Sequence, residues 1–206
     1  MSDSENPSAA MLTAEDIRSR LETYCREMTE HGEMFNVRKA AVLIPLYWYG
    51  GEWHVLFTRR SEGVNDHKGQ VSFPGGAVEA DDRNVYQAAL REANEEIGLV
   101  PGNAEILGRL KDYITISQFV ISPIVARINW PFSIRINSSE VSRVFSIPLS
   151  YLGDRSNIEI RTHTFSDGQT TRLFYFAPYD GELLWGITAR ITVRLLKVLG
   201  FLENSY

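Results

Sequence analysis

The chain has a single cysteine, Cys25, so no internal disulfide can form and a secreted disulfide framework is excluded. Histidine is scarce as well. Its four residues show no ligand spacing with each other or with that cysteine, which argues against a zinc centre built from His and Cys. No apolar run is long: the longest, around Ala40–Gly50, is about half the roughly 20 residues that a bilayer-spanning helix needs. The opening residues MSDSENPSAA lack the basic start and apolar core of a secretion signal. These absences lead us to expect a cytoplasmic protein with no membrane partner. A basic excess is also missing. Lys and Arg number 21 against 26 Asp and Glu, a formal charge of −5, whereas binders of phosphate polymers usually carry a basic surface. Nucleic acid polymers are therefore not expected partners. A small anionic substrate stays admissible, because an arginine cluster or a metal can reverse the field in one cleft.

What is present fits one domain, or one domain with a short appendage, in 206 residues. Residues 1–12 are small and polar and are expected to be disordered. A helical segment is expected over 13–36: Ile17, Leu21, Tyr24/Cys25 and Met28 recur at steps of three or four, and Thr13 with Asp16 makes a capping box. The main domain then covers 37–206. It opens with two apolar, β-prone runs, Ala40–Tyr49 and His54–Arg59, around Gly50-Gly51, which read as a hairpin. Asp66–Gly76 reads as a loop around a short strand. A helix is expected from about Asn84 to Ile97, with Val85, Ala88, Ala89 and Ala93 as its packing face and Gly98 as its stop. Strands are expected at Glu105–Leu110, Phe119–Ile128, Val141–Ile147, Ile158–Arg161 and Thr171–Phe176. A last helix, about Thr188–Leu199, turns Ile191, Leu195 and Val198/Leu199 inward and stops at Gly200. This order predicts an α/β protein, a mixed sheet covered on both faces.

The chemistry concentrates in Gly75–Leu99, GGAVEADDRNVYQAALREANEEIGL. At about 100° per residue, Glu95 and Glu96 fall roughly 60° to one side and 40° to the other of Glu92. Three carboxylates thus crowd one stripe, and like charges at these spacings destabilise an isolated helix by a few tenths of a kcal/mol per pair, on the order of 0.2–0.5. A solvated acidic face is the ordinary explanation of such a stripe. A hard divalent cation is the other, since Mg²⁺ takes carboxylates together with substrate phosphate oxygens. Asp81 and Asp82, just before the helix, could supply a further oxygen, and Glu79 less directly. The neighbouring Arg91, and a Gly-Gly pair that lets backbone approach a ligand closely, favour the second explanation.

The segment resembles the signature of the Nudix hydrolases, G-x5-E-x7-R-E-U-x-E-E-x-G-U, with U a bulky aliphatic residue. Here Gly76 is followed by five residues, Asp82, eight residues and then Arg91-Glu92-Ala93-Asn94-Glu95-Glu96-Ile97-Gly98-Leu99. The first acidic slot holds Asp, the loop is one residue longer, and Ala93 is small for its aliphatic slot. The longer loop resembles the coenzyme A pyrophosphatase branch, as does the upstream VLFTRRSEGVNDHKGQVSFPGG of Val55–Gly76. So do Leu107–Val125, Glu140–Pro148 and Leu184–Arg190, and the resemblance spans about residues 37–200. The branch usually carries Arg where this chain has Asn65, which lacks the charge for bidentate phosphate recognition.

The resemblance implies a Nudix-type α/β/α sandwich with a mixed β-sheet between helices, and a metal-dependent hydrolase of a diphosphate linked at both ends to larger groups. It implies Mg²⁺ or Mn²⁺ on Glu92, Glu95 and Glu96, with Asp82 as an outer or substrate-dependent ligand. Arg91 would orient a Glu by an ion pair. The general base would come from the box or from a distant Glu, for which Glu140, after the Asn137-Ser138-Ser139 turn, is the candidate; a solvated loop residue is its alternative. Arg59, Arg60, His67, Gly75 and Gly76 are the candidates for substrate contact, though His67 could simply cap its loop. Three functions stay open at this point: cleavage of coenzyme A or its acyl forms to 3′,5′-ADP and 4′-phosphopantetheine, cleavage of ADP-ribose or a dinucleotide, and non-catalytic nucleotide binding on the same fold. The partner expected is a small nucleotide-type diphosphate, and a homodimer is admitted.

Overall fold

The computed structural model describes residues 12–27, 37–63, 68–115, 119–164, 168 and 170–203. Helix α1 (Ala14–Arg26) opens on the expected capping box. Thr13 Oγ1 accepts from Asp16 N at 3.1 Å, and Thr13 N donates to Asp16 Oδ2 at 2.9 Å, so two of the orphan amides of the first turn are satisfied. Residues 28–36 of the segment expected to be helical lie outside the described residues, as do residues 1–11 of the expected tail. Leu12 is buried, and its carbonyl accepts from Trp53 Nε1 at 2.7 Å.

Strands β1 (Arg38–Tyr49) and β2 (Glu52–Arg60) form the expected hairpin, turning on Gly50 and Gly51 with φ 62° and 89°. Two successive positive φ values give the turn that matches strand twist, and glycine reaches them without Cβ strain. After the turn the two strands pair only as far as Leu46↔Val55. Farther along, two short strands fill in: β3 (Val71–Ser72) on β2, and β4 (Gly75–Ala77) on β1 opposite Ala40–Val42. The sequence predicts one short strand here, and the structure has two. Then follow α2 (Val85–Ile97), β5 (Ala104–Arg109), β6 (Tyr113–Ile114), β7 (Phe119–Ile128), β8 (Val141–Pro148), α3 (Leu149–Gly153), β9 (Ile158–Thr164), β10 (Thr170–Phe176) and α4 (Gly186–Val198).

Eight strands make one sheet along the path β3-β2-β1-β7-β5, with β4 on β1, β6 on β7 and β8 on β2. β1 and β7 are parallel and the other pairs antiparallel, so the sheet is mixed. Period-two alternation sorts its side chains into two cores. Ala41, Leu43, Tyr47, Leu56, Ile124 and Ala126 pack with Ala88, Ala89, Ala93 and Ile97 of α2. Ile44, Leu46, Val55, Phe57 and Val125 pack on the other side with Ile17 and Leu21 of α1, Leu149 and Leu152 of α3, and Ile191, Leu195 and Leu196 of α4. The result is the α/β/α sandwich. β9 and β10 do not extend this sheet; they form a separate two-stranded one. Among the described residues no helix is long and apolar enough to cross a membrane.

Candidate active site

Helix α2 carries the acidic stripe, and both of its ends are fixed. Asn84 Oδ1 accepts from Gln87 N at 3.0 Å at the start. Gly98, at φ 73°, closes the end in the left-handed conformation, its N–H on Asn94 O at 2.9 Å. The segment 130–137 lies over this end: Arg135 N donates to Ile97 O at 3.0 Å and Asn137 N to Glu96 O at 2.9 Å. The small alanine face lets α2 lie close to the sheet, which brings Glu92 and Glu96 down onto β4.

Glu96 is almost completely buried, 3% exposed. Its carboxylate accepts from the Gly75 N–H, yet Oε2 is buried without a hydrogen-bond partner. Burial, with the neighbouring Glu92 adding to it, pushes this carboxyl up to about 8, against relief from Arg60. Glu92 is also raised, first by burial, and Glu95 and Glu140 add to it while Arg91 opposes. At Gly76 a Cβ would meet the Glu92 carboxylate at 2.5–2.7 Å, so the glycine is what lets that carboxylate rest on the strand backbone.

Arg91 is the organiser of the group. Its Nε and Nη2 donate to Asp82 Oδ1 (3.2 Å) and Oδ2 (3.0 Å), and Nη2 also reaches the Ala77 carbonyl at 3.0 Å. Nη1 donates to Glu92 Oε1 at 3.0 Å and Glu95 Oε2 at 3.2 Å, with Glu79 at 3.9 Å. Asp82 therefore faces the guanidinium with both oxygens, and these bonds hold its carboxyl below the usual range. Glu95 is half exposed at the outer edge. Among the described residues no three acidic, His or Cys side chains already converge as a ready-made ligand set. Two of the three carboxylates of the stripe are instead held by Arg91.

Glu140 comes from the segment before β8, yet its charge acts on both Glu92 and Glu96. Asn137 Nδ2 donates to its Oε1 at 3.0 Å, and Ser61 N donates to its backbone carbonyl at 2.8 Å. Asn137, which the sequence places only in a turn, thus orients the candidate base; its position three residues before Glu140 is the signal for it. Arg60 and Arg59 diverge. Arg60 acts on Glu96, whereas Arg59 ion-pairs with Glu182 at 3.6 Å and Glu62 at 3.9 Å. Glu182 is itself buried and also accepts from Arg143 at 2.9 Å. Gly75 stands where a Cβ would run into the Ala41 carbonyl and Val42 Cα. His67 and Asn65 lie outside the described residues.

A buried, unpartnered carboxylate oxygen beside a second half-buried carboxylate suits a hard divalent cation, which supplies the missing charge and takes oxygen donors. Glu92 and Glu96, with Glu95 at the edge, fit such an ion.

The NUDIX domain family model matches residues 37–152 of this chain. The chain is 34% identical over 192 residues to "Uncharacterized Nudix hydrolase NudL" of Citrobacter koseri, covering 92% of this chain and 96% of that protein. The same identity and coverage hold for NudL of Escherichia coli. Among solved structures, a NUDIX hydrolase from Alicyclobacillus acidocaldarius aligns with a TM-score of 0.52 at 18% identity, over 82% of this chain and 95% of that one. A MutT/nudix family protein from Enterococcus faecalis aligns at 0.53 and 16% identity, over 88% and 74%. At these identities the structural likeness is one of fold. The family match covers more than half of the chain and includes the whole R-E-x-x-E-E helix, and the relatives are alike over nearly all their length: this protein belongs to the Nudix hydrolase family.

Proposed function

We propose that this Nudix hydrolase cleaves coenzyme A or acyl-coenzyme A to 3′,5′-ADP and 4′-phosphopantetheine or its acyl form, with Mg²⁺ or Mn²⁺ held by Glu92, Glu95 and Glu96. Nudix hydrolases generally need divalent metal ions. The observation that carries the ligand assignment is the buried, unpartnered Oε2 of Glu96 beside Glu92. When bound, the cation neutralises phosphate oxygens and makes a coordinated water more acidic. The rest falls to this chain's residues. Arg91 fixes Glu92 and Glu95 through one nitrogen, and Asp82 fixes Arg91 through two bonds, so Asp82 acts as a positioning residue for that arginine and not as a further ligand. Glu140, oriented by Asn137, accepts the proton of the attacking water. Arg60 supplies positive charge on the Glu96 side of the site. Gly75 and Gly76 leave the strand bare of side chains where the diphosphate approaches.

The substrate choice rests on the likeness of Val55–Gly76 to the coenzyme A branch. Asn65, in place of that branch's usual Arg, favours a second reading in which ADP-ribose or a dinucleotide is the substrate. A panel of coenzyme A, acetyl-coenzyme A, ADP-ribose and diadenosine polyphosphates, at matched concentration with Mg²⁺ and with Mn²⁺, tests both. Coenzyme A compounds are expected to show the highest kcat/KM. Cleavage no faster than that of ADP-ribose or the dinucleotides would remove the preferred substrate.

A further inference from the structure

On the face of the sheet opposite α2, cations gather where the net charge of −5 gives no reason to expect them. Arg190, Arg194 and Lys197 stand at successive helical steps along α4, and Arg172 of β10 faces them. With Tyr113, Phe174 and Val193 they line a hollow of about 230 Å³ whose wall contains no carboxylate. Arg194 and Lys197 also line an adjoining hollow of about 570 Å³ between α4 and α1, together with Arg20, Tyr24 and Glu27. The larger of the two is in the range of small-molecule sites, about 300–1,000 Å³. Like charges one helical turn apart work against the helix, so this row costs stability.

One of the arginines is held by aromatic groups. Arg194 donates to the Tyr24 hydroxyl at 3.0 Å and lies 5.1 Å over the Tyr113 ring, which fixes the guanidinium without neutralising it. Among the described residues, Arg172, Arg190 and Arg194 make no ion pair with a carboxylate. Tyr113 donates to the Arg190 carbonyl at 3.3 Å, tying the base of the hollow to the helix. Burial first, and then the neighbouring Arg194, depress Lys197.

We propose that this cleft is a second ligand site, separate from the carboxylates of α2, that takes an anionic small molecule carrying an oligophosphate group. A concave wall with three arginines and a lysine matches several adjacent phosphate oxygens, each arginine offering paired donors. The overall acidity and the concavity favour a small ligand over a nucleic acid strand or a membrane surface.

Titration calorimetry on the full chain in EDTA, with sodium tripolyphosphate, ATP and orthophosphate as separate probes, tests the proposal. Tripolyphosphate is expected to bind, and Arg172→Gln/Arg190→Gln to weaken it at least about tenfold, the effect of losing one charged hydrogen bond. Both side chains are exposed, so the variant is expected to melt as the parent does. Amide shifts of the unsubstituted protein provide a readout that needs no variant, and they should cluster on β10, α4 and α1. ATP matching tripolyphosphate points to a nucleotide, and tripolyphosphate alone to a free oligophosphate; either supports the site. No tripolyphosphate binding, equal affinity in the double variant, or shifts confined to β4 and α2 would overturn it. So would retention on phosphatidylserine vesicles or single-stranded RNA without tripolyphosphate binding.

Discussion

Gly75 and Gly76 are adjacent, yet a methyl group added to each should produce opposite phenotypes. At Gly76 the nearest atoms to the new Cβ are those of the Glu92 carboxylate, at 2.5–2.7 Å, the far end of a flexible side chain. Restoring ordinary contact requires that end to retreat by about 1 Å, a displacement that can cost on the order of 100-fold in rate when it misplaces a catalytic group. The fold should barely register the change, because the side chain swings away and no main chain moves; a loss under about 1 kcal/mol corresponds to less than about 4 °C at this chain length. At Gly75 the Cβ would strike the Ala41 carbonyl and Val42 Cα, in a β1 strand locked into the sheet on both sides. Overpacking against groups that cannot move costs about 3 kcal/mol or more, which at about 2–4 °C per kcal/mol is a fall of about 6–12 °C. Thermal melts by circular dichroism, paired with kcat on the cleaved substrate at saturating divalent metal, separate the two. Gly76→Ala with near-parental kcat, or with a melting loss equal to that of Gly75→Ala, would refute the placement of Glu92 against β4.

Three further outcomes follow from the same geometry. Glu95→Gln, at a half-exposed position, should lower kcat by at least about 100-fold with an unchanged melt; full activity would sink the ligand assignment. Asp82→Asn should reduce kcat while leaving Mn²⁺ affinity, measured by metal titration, within about twofold, since Asp82 is assigned to Arg91 and not to the ion; a loss of about tenfold or more in affinity would instead make it a ligand. Thr13→Ala removes the α1 capping box and should cost about 1 kcal/mol, read in a denaturant melt; no shift would mean that α1 contributes little to the cooperative unit.

The local elements were legible wherever one interaction decides them. Thr13, the Gly50-Gly51 turn and Gly98 each satisfy or permit backbone conformations within a few residues, and each stands where the sequence predicts it. Pairing was not legible in the same way. Ile158–Thr164 and Thr170–Phe176 have the composition of sheet strands, but nothing in a strand's own residues says which edge it will join, and these two pair with each other outside the main sheet. The short β6 and α3 escaped because two and five residues are too few to show a period.

The same distinction governs the site. The helix stripe Glu92, Glu95 and Glu96 is a matter of angle along one element, so spacing alone places the three on one side of α2, with Glu95 at its outer edge. Asp82 shares their sign and neighbourhood in sequence, and the guanidinium sets it apart from Glu96: Asp82 accepts two bonds from Arg91, whereas Glu96 Oε2 is buried without a partner. Arg59 and Arg60 make the point from the basic side. The two are consecutive on β2, where the pairing with β8 shifts register between them, and they part company: Arg60 acts on Glu96, and Arg59 pairs with the buried Glu182. A doublet of like charges on a strand therefore need not act as a pair, and which member reaches the carboxylates is decided by the backbone and not by the composition.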